Sequence, residues 1–174
     1  MPLLPRKVLI ALICLAPLFI VTQPAHASDR NDPQVLSFDR ALQMINQVRR
    51  QHGLGPVTYD RKLLRAARNH SADMAKAKRL SHASRNGNAL SDRLKRVAYQ
   101  PQLAAENIAM GQPTFPEALQ SWYHSPSHRA SLLDPELKQI GIAVVVNDKA
   151  QYRTFWTLVL ATPKPSIRLA RNGA

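Results

Sequence analysis

Cysteine is nearly absent: the chain has one, Cys14, close to its N-terminus. No disulfide can form within the remainder, so stability has to come from a buried core. Aromatic residues make up 6%, too few for the interleaving of rings and cations that single-strand nucleic-acid binders use. Acidic residues are scarce as well, 11 against 24 lysines and arginines, for a formal net charge of +13. Glycine occurs six times. The two glycines of "GLGPVTYD" lack the third glycine and the preceding strand of a dinucleotide-binding loop, and read as a helix stop followed by a turn. There is no internal repeat and no low-complexity tract.

What is present begins with an export signal. Arg6 and Lys7 precede an apolar run from Val8 to Val21 that only Pro17 interrupts, and Ala25-His26-Ala27 supplies the small-x-small pattern cut by signal peptidase. The run is too short and wrongly flanked for a comfortable transmembrane helix, a retained N-terminal anchor being the alternative. Cys14, in "LICL", lacks the small residue that a lipoprotein signal places before its cysteine. The expectation is a signal peptide over 1–27 cleaved after Ala27, then a secreted or periplasmic chain with no transmembrane segment. Outside the cytoplasm, a basic surface meets envelope polyanions and anionic lipid head groups rather than nucleic acid. A merely solvated basic face is the plainer reading. A small lipid or peptide is the other ligand class, and a monomer is expected.

Residues 28–37 read as a flexible leader, 38–162 as one domain and 163–174 as a basic tail. In "FDRALQMINQVRR", Phe38, Leu42, Ile45 and Val48 recur at helical spacing, with Ser37 or Asp39 able to cap the start and Gly53 supplying the stop. Asp60 caps a second helix, "RKLLRAARNHSADMAKAKRL", whose inward face holds Leu63, Leu64, Ala67, Ser71 and Met74. After the loop "ASRNGNA" a short helix runs from Leu90 to Val97, with Ser91 or Asp92 near its cap. Leu103 to Met110, "LAAENIAM", fits either a strand or an extended loop. Pro116 starts a helix through Trp122. The period then changes: "IGIAVVV" (Ile140 to Val146) and "FWTLVLA" (Phe155 to Ala161) are β-branched or aromatic runs joined by polar residues, an antiparallel hairpin. Helices first and a hairpin last give an α+β domain.

The stretch "WYHSPSHRASLL" places His124 and His128 four residues apart, the spacing at which one helix face could present both to a metal. Pro126 prevents it. Proline disfavours helical geometry in the residue before it, so one helix ends near His124 or Ser125. Pro126 then begins another, with Ser125 as its cap. His128 falls in the first turn of that helix, where the partial positive charge opposes protonation and favours the neutral, ligating form. Its partners have to come from elsewhere, and His82 in "LSHAS" and Glu106 in "AENIA" have suitable chemistry. A carboxylate in an apolar stretch requires a cation, a metal or a donor beside it if it is buried. His70 reads as a satisfied, partly buried histidine.

Taken together, "INQVRRQHGLGPVTYDRKLLRAARNHSADMAKAKRLSH", "AENIA" and "WYHSPSHRASLLDPELKQIGIAV" resemble the bacterial branch of the CAP superfamily. This superfamily of SCP domains includes cysteine-rich secretory proteins, antigen-five allergens and plant pathogenesis-related proteins. The resemblance spans Phe38 to Thr162 and implies an α-β-α sandwich, a small antiparallel sheet between helix layers. It also implies a cleft of two histidines and two glutamates. His82 and His128 match the histidines, Glu106 matches the first glutamate, and Asn107 follows it as the pattern has it. The second glutamate falls on Ser125, and Glu117 is a poor substitute. Two imidazoles and a carboxylate (His82, His128, Glu106) could hold Zn2+ or another divalent cation with open positions. As a hydrolase the same trio would be catalytic, with Glu106 as base. The missing glutamate favours an extracytoplasmic binding module instead, and a purely structural cross-brace is the third reading.

Overall fold

The computed structural model describes residues 37–165. The expected signal peptide, almost all of the leader and the end of the tail lie outside them. The elements in chain order are α1 (Phe38–Gln51), β1 (Thr58–Tyr59), α2 (Arg61–Ala77), α3 (Leu90–Arg96), β2 (Pro101–Met110), α4 (Phe115–His124), α5 (Pro126–Leu132), β3 (Gln139–Val146) and β4 (Thr154–Pro163). Among the described residues, no helix is long and apolar enough to cross a membrane. The strands form one sheet in the order β1-β3-β4-β2. β3 and β4 are the expected antiparallel hairpin, and β2 pairs antiparallel with β4. The sheet is nevertheless mixed. Thr58 and Tyr59, inside the segment read as a turn, pair parallel with Gln139 and Ile140.

Strand alternation builds the two faces. On β4, Trp156, Leu158 and Leu160 enter a core with Ala41 and Ile45 of α1, Trp122 of α4 and Leu132 of α5. Val159 and Ala161 enter a second core with Leu63, Ala66 and Ala67 of α2 and Leu94 of α3. Phe155 meets Met74 and Ala75 near the end of α2. The sheet therefore lies between α2 and α3 on one side and α1, α4 and α5 on the other, the expected sandwich.

Local signals behave largely as read. Asp60 Oδ1 accepts from the Lys62 and Leu63 amides at the start of α2, and its helical face buries Leu63, Ala66, Ala67, His70, Ser71, Met74 and Ala75. In α1 Ile45 is fully buried and Leu42 and Val48 pack partly buried against the same core, as expected, while Phe38 is 43% exposed and Ala41 and Arg49 join the buried face. Arg49 is the unexpected member. Its guanidinium, 1% exposed, donates to the carbonyls of Gly55, Leu132, Asp134 and Leu137, tying α1 to the chain between α5 and β3. α4 and α5 are separate helices divided at Ser125. Its backbone is extended, with φ −85° and ψ 121°, as the following Pro126 requires, and its side chain makes no cap bond. Helix α3 starts after Ala89, whose amide donates to the carboxylate of Asp92 at 3.1 Å, so Asp92 sits near the cap as expected, at the third helical position.

Candidate functional site

Leu103–Met110 belongs to β2, an edge strand of the sheet. Alternation sends Glu106 toward α2 and α3 and its neighbour Asn107 toward α5. The Glu106 side chain is 3% exposed and does not stand alone. Arg93 Nη2 donates to Oε2 at 2.5 Å, His82 Nδ1 lies 3.0 Å from Oε1, and His70 Nε2 lies 3.7 Å from the same oxygen. Arg93 is 5% exposed, and its Nη1 also donates to the carbonyls of His82 and Asn88. The guanidinium therefore fastens the loop carrying His82 to α3 and to β2.

Burial by itself would raise the Glu106 pKa. The His82 hydrogen bond and the charges of Arg93 and His70 more than offset that and hold it below the usual carboxylate range. An ionised carboxylate only accepts, so His82 Nδ1 carries the proton and its Nε2 is left free. That ring is 59% exposed. His70 is fully buried, not partly, and only half satisfied. Its Nε2 is 2.9 Å from the Ser81 carbonyl, while Nδ1 has no partner among the described residues. Burial lowers its pKa against the opposing pull of Glu106.

His128 reaches the same strand from the other side. Its carbonyl accepts from Asn107 Nδ2 at 3.0 Å, which anchors the first turn of α5 to the residue after Glu106. Burial, and then the nearby His82, lower the His128 pKa. The two imidazoles are thus electrostatic neighbours. His124 is exposed on the preceding helix, and Glu117 pairs with Thr114 Oγ1 at 2.8 Å. Ser125 contributes no carboxylate. Among the described residues, no group of three or more His, Cys, Asp or Glu side chains is placed to hold one metal ion.

Arg93 is the participant that sequence reasoning missed. Its signal was present: in "LSDRLKRV" it falls on the helix face of Leu90, Leu94 and Val97, where a cation needs a buried anion as much as Glu106 needs a buried cation.

The lowered pKa values couple stability to pH. His70 and His128 take up protons more readily when unfolded, so their contribution is complete above about pH 6.5 and declines as pH falls below it. Glu106, lowered from 4.5, adds a further loss as pH falls below that value. Urea midpoints at pH 7.5, 6.5 and 5.5 should therefore decrease in that order, and a flat or rising series would contradict the assignment.

The chain matches the family model described as the cysteine-rich secretory protein family (CAP) over residues 42–160. It is 33% identical over 111 residues to the uncharacterized membrane protein YlbC of Bacillus subtilis, covering 64% of this chain and 32% of that protein. The crystal structure of an extracellular protein containing an SCP domain from Bacillus anthracis is similar at 31% identity and a TM-score of 0.63, over 71% of this chain and 39% of that one. An outer surface protein of Borrelia burgdorferi shares the fold at 17% identity and a TM-score of 0.66, over 73% of this chain and 92% of that one. The chain thus spans about a third of the length of the YlbC protein it matches. The matching blocks, the sandwich and the family model agree: the chain belongs to the CAP family of cysteine-rich secretory proteins.

Proposed function

We propose that this is an exported CAP-domain binding module whose cleft takes a divalent cation or small ligand at two imidazoles, His82 and His128. One observation carries the reading: the bond from His82 Nδ1 to a buried carboxylate, which orients a 59% exposed ring with its Nε2 unused, a ring to which the His128 pKa responds. A carboxylate behind a histidine is the usual way to orient a metal-binding ring and fix its tautomer. Glu106 then positions His82 and is not itself a ligand. A bound cation would supply positive charge and open coordination positions to anionic or carbonyl groups. The signal-like N-terminus and the extracellular Bacillus anthracis neighbour support a location outside the cytoplasm.

Catalysis by Glu106 as general base is disfavoured. Its carboxylate is occupied by Arg93 and His82 and held below the usual pKa range, whereas a base working near neutrality needs affinity for a proton. Calorimetric titration with zinc chloride near neutral pH tests the binding reading, together with thermal unfolding. Saturable binding and a rise in Tm are expected for wild type, since a ligand of the native state stabilises it. His82→Ala and His128→Ala should each abolish the rise, and His124→Ala should keep it. An unchanged Tm at millimolar zinc would remove the cation and leave a small ligand or the hydrogen-bonded cross-brace.

A further inference from the structure

At the opposite edge of the sheet, β1 covers only Gln139 and Ile140 of β3. The Ile140 carbonyl accepts from the Asp60 amide on the outer side, whereas the Asn147 amide donates inward to the Arg153 carbonyl across the hairpin. Alternation between these fixed points turns the main-chain groups of Ile142, Val144 and Val146 outward. Among the described residues, none has a main-chain partner on that side. Val146 is 48% exposed, whereas Ile142 is 0% exposed, so the open part of this edge is Val144–Val146.

Two crevices meet at Val144. One, of about 470 Å³, has an apolar floor of Phe38, Leu64, Ala143 and Val144 and is walled by Arg61, Arg65 and Arg68, Arg65 with one guanidinium nitrogen already donating to the Val97 carbonyl at 3.0 Å. These arginines lie along one exposed stripe of α2. The other crevice, of about 230 Å³, is lined by Val144, Val146, Tyr152 and Trp156. Trp156 belongs to the core on the face away from α2. An unpaired edge is a template for another strand, and a strand sends successive side chains to opposite faces.

We propose that the Val144–Val146 edge takes up an extended acidic segment of a protein partner by strand addition. Alternate residues of that segment place carboxylates against Arg61, Arg65 and Arg68, and the residues between them place apolar groups in the Tyr152 crevice. Main-chain bonds supply affinity, and the two unlike crevices supply selectivity. A second copy is a poor occupant. Antiparallel pairing of two β3 edges would bring two rows of arginines to the same face.

The test uses a fluorescein-labelled peptide, Thr-Glu-Val-Glu-Val-Glu-Thr, and the purified chain. Saturable anisotropy is expected, at least tenfold weaker when lysine replaces each glutamate. Amide exchange at Val144 and Val146 should slow in the complex. Val144→Pro removes an outward N–H that the ladder to β4 does not use, and should weaken binding at least tenfold. Arg61→Glu with Arg68→Glu should do the same, and decides the matter if the proline variant does not fold. Unchanged affinity in the arginine variant, equal binding of the lysine peptide, exchange protection elsewhere, or a concentration-dependent dimer that excludes the peptide would each overturn the proposal.

Discussion

Replacing Glu106 with glutamine is expected to lower the unfolding free energy by about 3–5 kcal/mol, the usual cost of leaving one member of a buried ion pair without its partner. Glutamine has nearly the same shape, so no cavity contributes. What remains is Arg93, 5% exposed and charged, facing a neutral amide in place of the carboxylate at 2.5 Å. The carbonyls of His82 and Asn88 still accept from Nη1, which keeps the variant folded but does not neutralise the guanidinium. Urea denaturation at pH 7 measures the loss. The double variant Glu106→Gln with Arg93→Met removes both charges and should regain much of the stability, because replacing a buried pair by neutral groups is often nearly neutral. A single-variant loss below about 1 kcal/mol, the range of exposed ion pairs, would show that this pair is not the hub described.

Alanine at Gly141 is expected to cost about 3 kcal/mol or more, at or beyond the upper end of ordinary overpacking. A Cβ there would stand 2.1 Å from the Leu63 carbonyl carbon and the Leu64 nitrogen, and 2.5 Å from the Leu63 oxygen. These are main-chain atoms in the first turn of α2, which cannot swing aside as a side-chain tip can. Relief requires lifting α2 from β3, and α2 carries His70, which supports both the Ser81 carbonyl and Glu106. Thermal unfolding should show the loss, and the zinc-dependent rise in Tm should shrink with it. Gly55→Ala is the control: its added Cβ meets nothing within 4 Å and its φ is not positive. That change should be neutral or stabilise by about 0.4–1 kcal/mol through the unfolded chain. Equal behaviour of the two alanine variants would contradict the close approach of α2 to β3.

Local chemistry made much of the fold legible. The Asp60 cap, the Ser125-Pro126 break and the change of apolar period after Leu137 each act within a few residues, and the corresponding elements stand where those signals put them. "LAAENIAM" stayed open because a mixed run with one carboxylate satisfies neither period well; pairing along β4 resolved it as an edge strand. Thr58 and Tyr59 were unreadable as a strand, since two residues have no period and exist as β1 only through β3. Arg49 was hidden for another reason. A basic residue near a helix end normally faces water, and only the convergence of four carbonyls makes its burial tolerable.

By itself the sequence determined the α+β class, the separation of His124 from His128 onto two helices, and the candidacy of His82, Glu106 and His128 for the site. Helical period, capping and the proline effect are local, so they survive without a partner. Tertiary structure alone decided that Glu106 faces Arg93 and His70 as well as His82, that Asn107 turns to the opposite side to hold the turn bearing His128, and that β1 pairs with only the first two residues of β3 among the described residues. Those outcomes depend on strand register and on which helix covers which face, and register is set by pairings between residues far apart in the chain.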